Sequence, residues 1–242
     1  MNLSNKTIEF EVDGALHHAY MAWDQDVDGP RPGVMVIHEW WGLNDYVRGR
    51  ADRLARLGYC GFAVDMYSNG ETADNPEKAG ELMNAVLGDM ESGTTRLKAG
   101  YAAMLEQDQV AAGKTAAIGY CFGGAMVLHM ARIGLELNAV VSFHGALGSF
   151  HSPAPGAVKA SLLVCHGEDD AMVTMSDVAG FREEMDAAGA DYKVIVHSDA
   201  QHGFSNPGAD EKNEKYGLPV GYSARADSES WDAMIALFQR CF

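Results

Sequence analysis

The sequence predicts an α/β fold: a mostly parallel twisted sheet of about eight strands with helices on both faces. Three observations carry this. Short runs rich in Val, Ile and Leu alternate with longer runs whose apolar residues recur at helical spacing. Inner runs such as 34–37 and 60–64 are continuously apolar, as strands covered on both faces must be. The 242 residues, 47% of them hydrophobic, hold enough core for a single domain over 1–242.

Residues 7–12 alternate polar and apolar, Asp13-Gly14 supplies a turn, and the alternation resumes over 16–23, which predicts an antiparallel hairpin at a sheet edge. After the Pro30-Arg31-Pro32-Gly33 loop comes the strand 34–37. Asn44 caps the next helix, with Val47, Ala51, Leu54 and Ala55 on one face and Gly58 as its stop, and the strand 60–64 follows. Residues 65–93 are polar and punctuated by Gly70, Pro76 and Gly88, so a loop, a helix from Pro76 and a mobile rim are expected. A clearer amphipathic helix covers 94–107 and leads to the strand 114–118 and the helix 125–132. Strands are predicted again at 138–143, 161–165 and 192–196. Between and after them, Val178, Phe181 and Met185 share a face behind a Ser176 cap, and Trp231, Met234, Ile235 and Phe238 share one in the last helix.

Bulk properties exclude several functions. With 18 Lys+Arg against 34 Asp+Glu the formal charge is −16, which repels nucleic acid and anionic lipid. The first residues show no basic-then-apolar leader, and no run is long enough to span a bilayer, so a cytoplasmic protein is expected. Cys60, Cys121, Cys165 and Cys241 are scattered without Cys-x-x-Cys pairs, which argues for reduced thiols and against a metal site. No cofactor is implied, and a monomer is the expected state.

Chemistry concentrates at Gly119-Tyr120-Cys121-Phe122-Gly123-Gly124, between an apolar strand and a helix. Glycines two before and two after Cys121 let the strand and helix approach closely while the central residue adopts strained dihedrals and lifts its side chain. A thiol held at a helix N-terminus is favoured as thiolate by the macrodipole. The alternative is a small buried hydrophobe, the commoner fate of a free cysteine. His202, a short loop beyond 194–196, follows Cys121 in the chain and is preceded by an acid, the order nucleophile, acid, histidine. Asp170 fits a Gly-x-x-Asp-x-x-Val spacing with Gly167 and Val173, and Asp169 is its competitor for the orienting role.

Together with His38-Glu39-Trp40-Trp41-Gly42, His166-Gly167-x-x-Asp170 and His202-Gly203-Phe204, the cysteine turn resembles the dienelactone hydrolase family of the α/β-hydrolase fold over nearly the whole chain. The resemblance implies a Cys121, His202, Asp170 triad, with the N–H groups of Phe122 and Trp40 as oxyanion hole. It also implies that substrate binding moves Glu39 and thereby helps ionise the cysteine. Read by itself, Glu39 is a loop carboxylate at a strand end. The substrate expected is a small carboxylic ester or lactone, cleaved through a thioester. Peptidase activity is the runner-up enzyme reading, and a non-catalytic ligand binder or thiol sensor is the reading from another class.

In one respect the chain departs from the family. Members of chlorocatechol pathways hold a substrate carboxylate with two arginines, one shortly after the His-x-Phe segment. Here that place is Asn206, and no arginine occurs between Arg56 and Arg96. Trp40, Trp41, Phe122 and Phe204 are candidates for an apolar pocket, and Lys78 for a substitute cation.

Overall fold

The structure, a computed structural model, describes residues 1–242. Its elements in chain order are β1 (Leu3–Val12), β2 (Ala15–Asp24), β3 (Arg31–Ile37), α1 (Asp45–Arg56), β4 (Cys60–Val64), α2 (Pro76–Leu87), α3 (Met90–Leu105) and β5 (Val110–Tyr120). Then follow α4 (Phe122–Arg132), β6 (Ala139–Phe143), β7 (Ser161–Gly167), α5 (Met175–Ala188), β8 (Tyr192–His197), α6 (Ala209–Tyr216) and α7 (Ala224–Cys241). The eight strands form one sheet in the order β1-β2-β4-β3-β5-β6-β7-β8. This is the mostly parallel architecture with interspersed helices that the sequence predicts. The chain divides into two compact units, Met1–Ile118 and Gly119–Phe242.

In the first unit β1 and β2 make the expected antiparallel edge hairpin, Leu3 opposite Asp24 and Val12 opposite Ala15, with β2 also antiparallel to β4 and β3 parallel to β4. Every residue of β4 is buried, whereas β1 alternates between half-buried and exposed positions, as an edge strand does. The Asn44 side chain accepts from the Val47 N–H, and Val47, Ala51, Leu54 and Ala55 are all buried. Residues 65–75 are better fastened than their polarity suggests. The buried Asp65 carboxylate accepts from the N–H groups of Tyr67 (2.8 Å) and Gly70 (3.0 Å), which makes it the internal staple of the turn. Helix α2 starts at Pro76 as predicted, behind an Asn75 cap. Helix α3 starts at Met90 rather than residue 94, because Asp89 accepts from the Ser92 N–H and caps an earlier turn.

In the second unit β6, β7 and β8 run parallel, Phe143 opposite Cys165 and Cys165 opposite Ile195. Helix α4 is buried along its whole length. Such a helix must be apolar or small on every side, and Phe122-Gly123-Gly124-Ala125-Met126-Val127-Leu128 is. Its one strong charge, Arg132, is only 1% exposed and pairs with Glu184 at 2.6 Å while donating to the Leu147 carbonyl. The cap of α5 is Thr174, not Ser176: the Asp177 carboxylate reaches back to the Thr174 N–H and hydroxyl, both at 2.7 Å, closing the first turn two residues earlier. Helix α6 was not foreseen, being short and polar with one buried residue, Ala209.

Candidate active site

Four strands end, within the second unit, beside residues with polar side chains. Cys121 follows β5, His144 follows β6, Asp170 lies just beyond β7 and His202 just beyond β8. Cys121 occupies φ 53°, ψ −116°, a conformation costly for a residue with a Cβ, and it forms the N-cap of α4. Its N–H donates to the Phe143 carbonyl at 3.1 Å, so the strained turn is anchored to the end of β6. The flanking glycines have steric reasons. A Cβ on Gly119 would collide with the Gly123 carbonyl, and one on Gly124 would stand 2.5 Å from Ser142 Oγ and 2.7 Å from Gly145 Cα. Cys121 itself is half-buried, whereas Cys60 and Cys165 are buried completely and burial pushes both thiols up, Cys60 to about 12.

Asp170 and His202 are brought together by backbone pairing between their loops. The Glu168 N–H donates to the His197 carbonyl and the Asp169 N–H to the Ala200 carbonyl, each at 2.9 Å. A Cβ on Gly167 would strike that same Ala200 carbonyl, so glycine is required for the loops to close. His202 Nδ1 then meets Asp170 Oδ2 at 2.8 Å. The other carboxylate oxygen accepts from the N–H groups of Met172 (2.8 Å) and Val173 (2.9 Å). Asp169 is exposed, and it is the Asp170 carboxylate that meets His202. Burial alone would raise the Asp170 pKa, but the hydrogen bond and charge of His202, with the two amides, hold it below the usual carboxylate value.

Burial likewise opposes charge on His202, yet the electrostatic influence of nearby Cys121 and the hydrogen bond and charge of Asp170 together raise its pKa to about 10. Its Nε2 makes no hydrogen bond within normal geometry, although Cys121 is near enough for its charge to act there. The loop carrying His202 is strapped from outside by the Gly221 N–H on the His202 carbonyl and the Ser223 N–H on the Phe204 carbonyl, each at 3.0 Å. His166 is 1% exposed with neither ring nitrogen hydrogen-bonded, and burial keeps it neutral. Phe204 is wholly buried, its ring edge-on to His144 and tilted against His197, which makes it a packing residue. Asn206, 4% exposed, spends its amide oxygen on the Gly208 N–H at 2.9 Å.

His144 escaped the sequence reading. It is fully buried at φ 40°, shares a hydrogen bond between Nε2 and Ser205 Oγ at 2.7 Å, and lies 5.3 Å from the His202 ring, centroid to centroid. Like Cys121 it stands one residue beyond a strand end, but nothing in the neighbouring residues marks its contact with His202.

The first unit carries the remaining candidates. Glu39 lies two residues past β3 and is 5% exposed, which rules out the solvated loop carboxylate. Its neighbour His38 donates through Nδ1 to the Glu39 carbonyl and accepts at Nε2 from the Met66 N–H, so both ring nitrogens serve the backbone. The Trp40 and Trp41 rings meet edge-on at 5.1 Å, and Tyr67 donates to the Trp40 carbonyl at 3.0 Å. Lys78 is ion-paired with Glu71 at 3.1 Å. No cluster of three His, Cys, Asp or Glu side chains has a metal-binding arrangement, and no helix is long and apolar enough to cross a membrane.

Residues 17–242 match the profile of the dienelactone hydrolase family. The protein usf of Aquifex pyrophilus is 30% identical over 96% of both chains. Among solved structures, a dienelactone hydrolase-like promiscuous phosphotriesterase from metagenomic libraries superposes with a TM-score of 0.91 at 33% identity over the whole of both chains. The structure described as m3DLH gives 0.93 at 32% identity, again over the whole of both.

Proposed function

The chain belongs to the dienelactone hydrolase family and is a carboxylic ester hydrolase, and we propose that it cleaves lactones and activated carboxylic esters through a thioester on Cys121. The observation that carries this reading is the 2.8 Å contact of His202 Nδ1 with Asp170 Oδ2, in a unit whose cysteine sits strained at the head of α4.

Cys121 as thiolate attacks the carbonyl carbon, and the carbonyl electron pair moves onto oxygen. By family resemblance, the N–H groups of Phe122 and Trp40 hold that oxyanion. The place of Phe122 in the first turn of α4 supports its part, since the positive end of the helix dipole favours negative charge there. Collapse expels the alkoxide, which takes the Nε2 proton of His202 and leaves an acyl-thioester and a neutral imidazole. That imidazole then removes a proton from water, the hydroxide adds to the thioester, and the thiolate departs, restoring the starting ion pair. Asp170 keeps Nδ1 protonated, so that Nε2 is the nitrogen that exchanges protons. Glu39 is assigned, by resemblance, the part of controlling thiol ionisation, and its burial supports a constrained rather than a solvated carboxylate.

A lactone, enol ester or aryl ester has a good leaving group and suits a thiolate, whereas an amine must be protonated as it leaves. Esters are therefore expected to be hydrolysed far faster than peptides. Incubation with p-nitrophenyl acetate tests the proposal: one acetyl group should appear transiently on the peptide containing Cys121, and Cys121→Ala should be inert. Turnover without an acylated Cys121, or turnover by Cys121→Ala, would refute the thioester route, and no turnover of any ester would favour a binder or thiol sensor.

A further inference from the structure

Resting on the triad reading above, we infer that His144 and Ser205 form a positioning pair for His202: they fix the plane of its imidazole, as Asp170 fixes its Nδ1. Asp170 constrains one atom of the ring, and a ring held at one atom can still swing about that hydrogen bond. A second constraint has to act on the ring's face or edge, and it has to be rigid.

His144 satisfies both requirements. Its ring is 5.3 Å from that of His202 at an interplanar angle of 67°, a T-shaped contact, and 5.0 Å from Phe204 at 82°. Its own orientation is fixed by the 2.7 Å hydrogen bond between Nε2 and Ser205 Oγ, with both residues fully buried. Ser205 stands three residues after His202, inside the turn closed by the Asn206 N–H on the Gly203 carbonyl, so the pair links the His202 loop to the end of β6. The backbone of His144 is held as firmly. Its N–H donates to the Cys165 carbonyl at 2.8 Å and it keeps φ 40°, a left-handed conformation in which a histidine costs free energy. The following residue, Gly145, packs its Cα against Gly124 of the nucleophile helix. His144 thus connects the support of Cys121 to the ring of His202 within one unit.

The test uses the full-length protein with Ser205→Ala, His144→Phe and the double variant. His144→Phe keeps an aromatic ring in the T-shaped contact but removes Nε2, and Ser205→Ala removes the other half of the bond. Each single variant should lower kcat on p-nitrophenyl acetate about 5- to 20-fold with KM nearly unchanged, below the roughly hundredfold cost of a 1 Å misplacement. The double variant should be no slower than the slower single one, because the two side chains act as one device. The low-field proton resonance of His202 Nδ1–H, assigned by its loss in His202→Ala, should shift or broaden in Ser205→Ala. Wild-type kcat with an unmoved resonance in Ser205→Ala, or losses that multiply in the double variant, would overturn the inference. If wild-type protein hydrolyses no ester, or Cys121→Ala still does, the triad reading fails instead, and the resonance still decides whether His144 and Ser205 orient His202.

Discussion

His202 Nδ1 donates to Asp170 Oδ2 at 2.8 Å, and the carboxylate's second oxygen is held by the N–H groups of Met172 and Val173. Asp170 is therefore fixed by its own turn before it orients His202. The two side chains are 0% and 6% exposed, so water competes for neither end of the contact.

Loss of this pair should be costly and selective. His202→Ala is expected to lower kcat/KM by roughly two to four powers of ten, the scale of a positioned acid–base group. Asp170→Asn should also lower it, through lost charge and orientation, whereas the exposed Asp169→Asn should change nothing. Steady-state kinetics on one aryl ester decides: a damaging Asp169→Asn beside a silent Asp170→Asn would reverse the assignment.

Thiol reactivity should separate the four cysteines. Cys60 and Cys165 are buried with raised pKa values, while Cys121 and Cys241 are half-buried. Iodoacetamide is expected to modify Cys121 first and abolish activity, to reach Cys241 without functional effect, and to leave the buried pair alone. Peptide mapping against residual activity checks this, and inactivation with Cys121 unmodified contradicts it.

Stability should depend on pH at both ends. The His202 pKa is raised on folding from 6.5 to about 10, so its contribution is complete below about 6.5 and is lost as pH rises toward 10. The Asp170 pKa is lowered on folding, so its contribution is present above the unfolded value of 3.8 and is lost as pH falls through the lower folded one. Urea denaturation across pH should show the alkaline loss in the wild type. It should be smaller in Cys121→Ala, which lacks the Cys121 side chain that helps raise the His202 pKa.

Substitution of the close-packed glycines should cost stability as well as activity. Gly124→Ala drives a methyl to 2.5 Å from Ser142 Oγ and 2.7 Å from the Gly145 backbone, an overpacking expected to cost about 1–3 kcal/mol or more. The open Gly180→Ala, in the interior of α5, is the control and should be neutral or slightly stabilising. Denaturation midpoints compare the two.

Substrate preference should follow charge. Lys78 is already paired with Glu71, Asn206 is an uncharged amide, and the net charge of −16 repels anions. A neutral lactone should be hydrolysed with higher kcat/KM than its carboxymethylene derivative, with the gap narrowing as salt is added. A lasting preference for the carboxylated member at low salt would require another cation, such as Arg225, to serve the site.

The amino-acid sequence by itself determined the strands, most helices and the turn around Cys121, because each is written in neighbouring residues: continuous apolar runs, caps such as Asn44, and glycines two before and after the cysteine. The position of α3 and the cap of α5 were misread by a few residues, since Asp89 and Asp177 act through side-chain hydrogen bonds that hydrophobic spacing does not encode. Only the tertiary structure shows Asp170, and not Asp169, in contact with His202. Adjacent residues on one turn point different ways, and the choice depends on where the chain brings His202, 32 residues later. It alone brought His144 to His202, because a contact between the ends of two strands has no local signature. It also buried Glu39 and Phe204, whose exposure depends on what the rest of the chain packs over them.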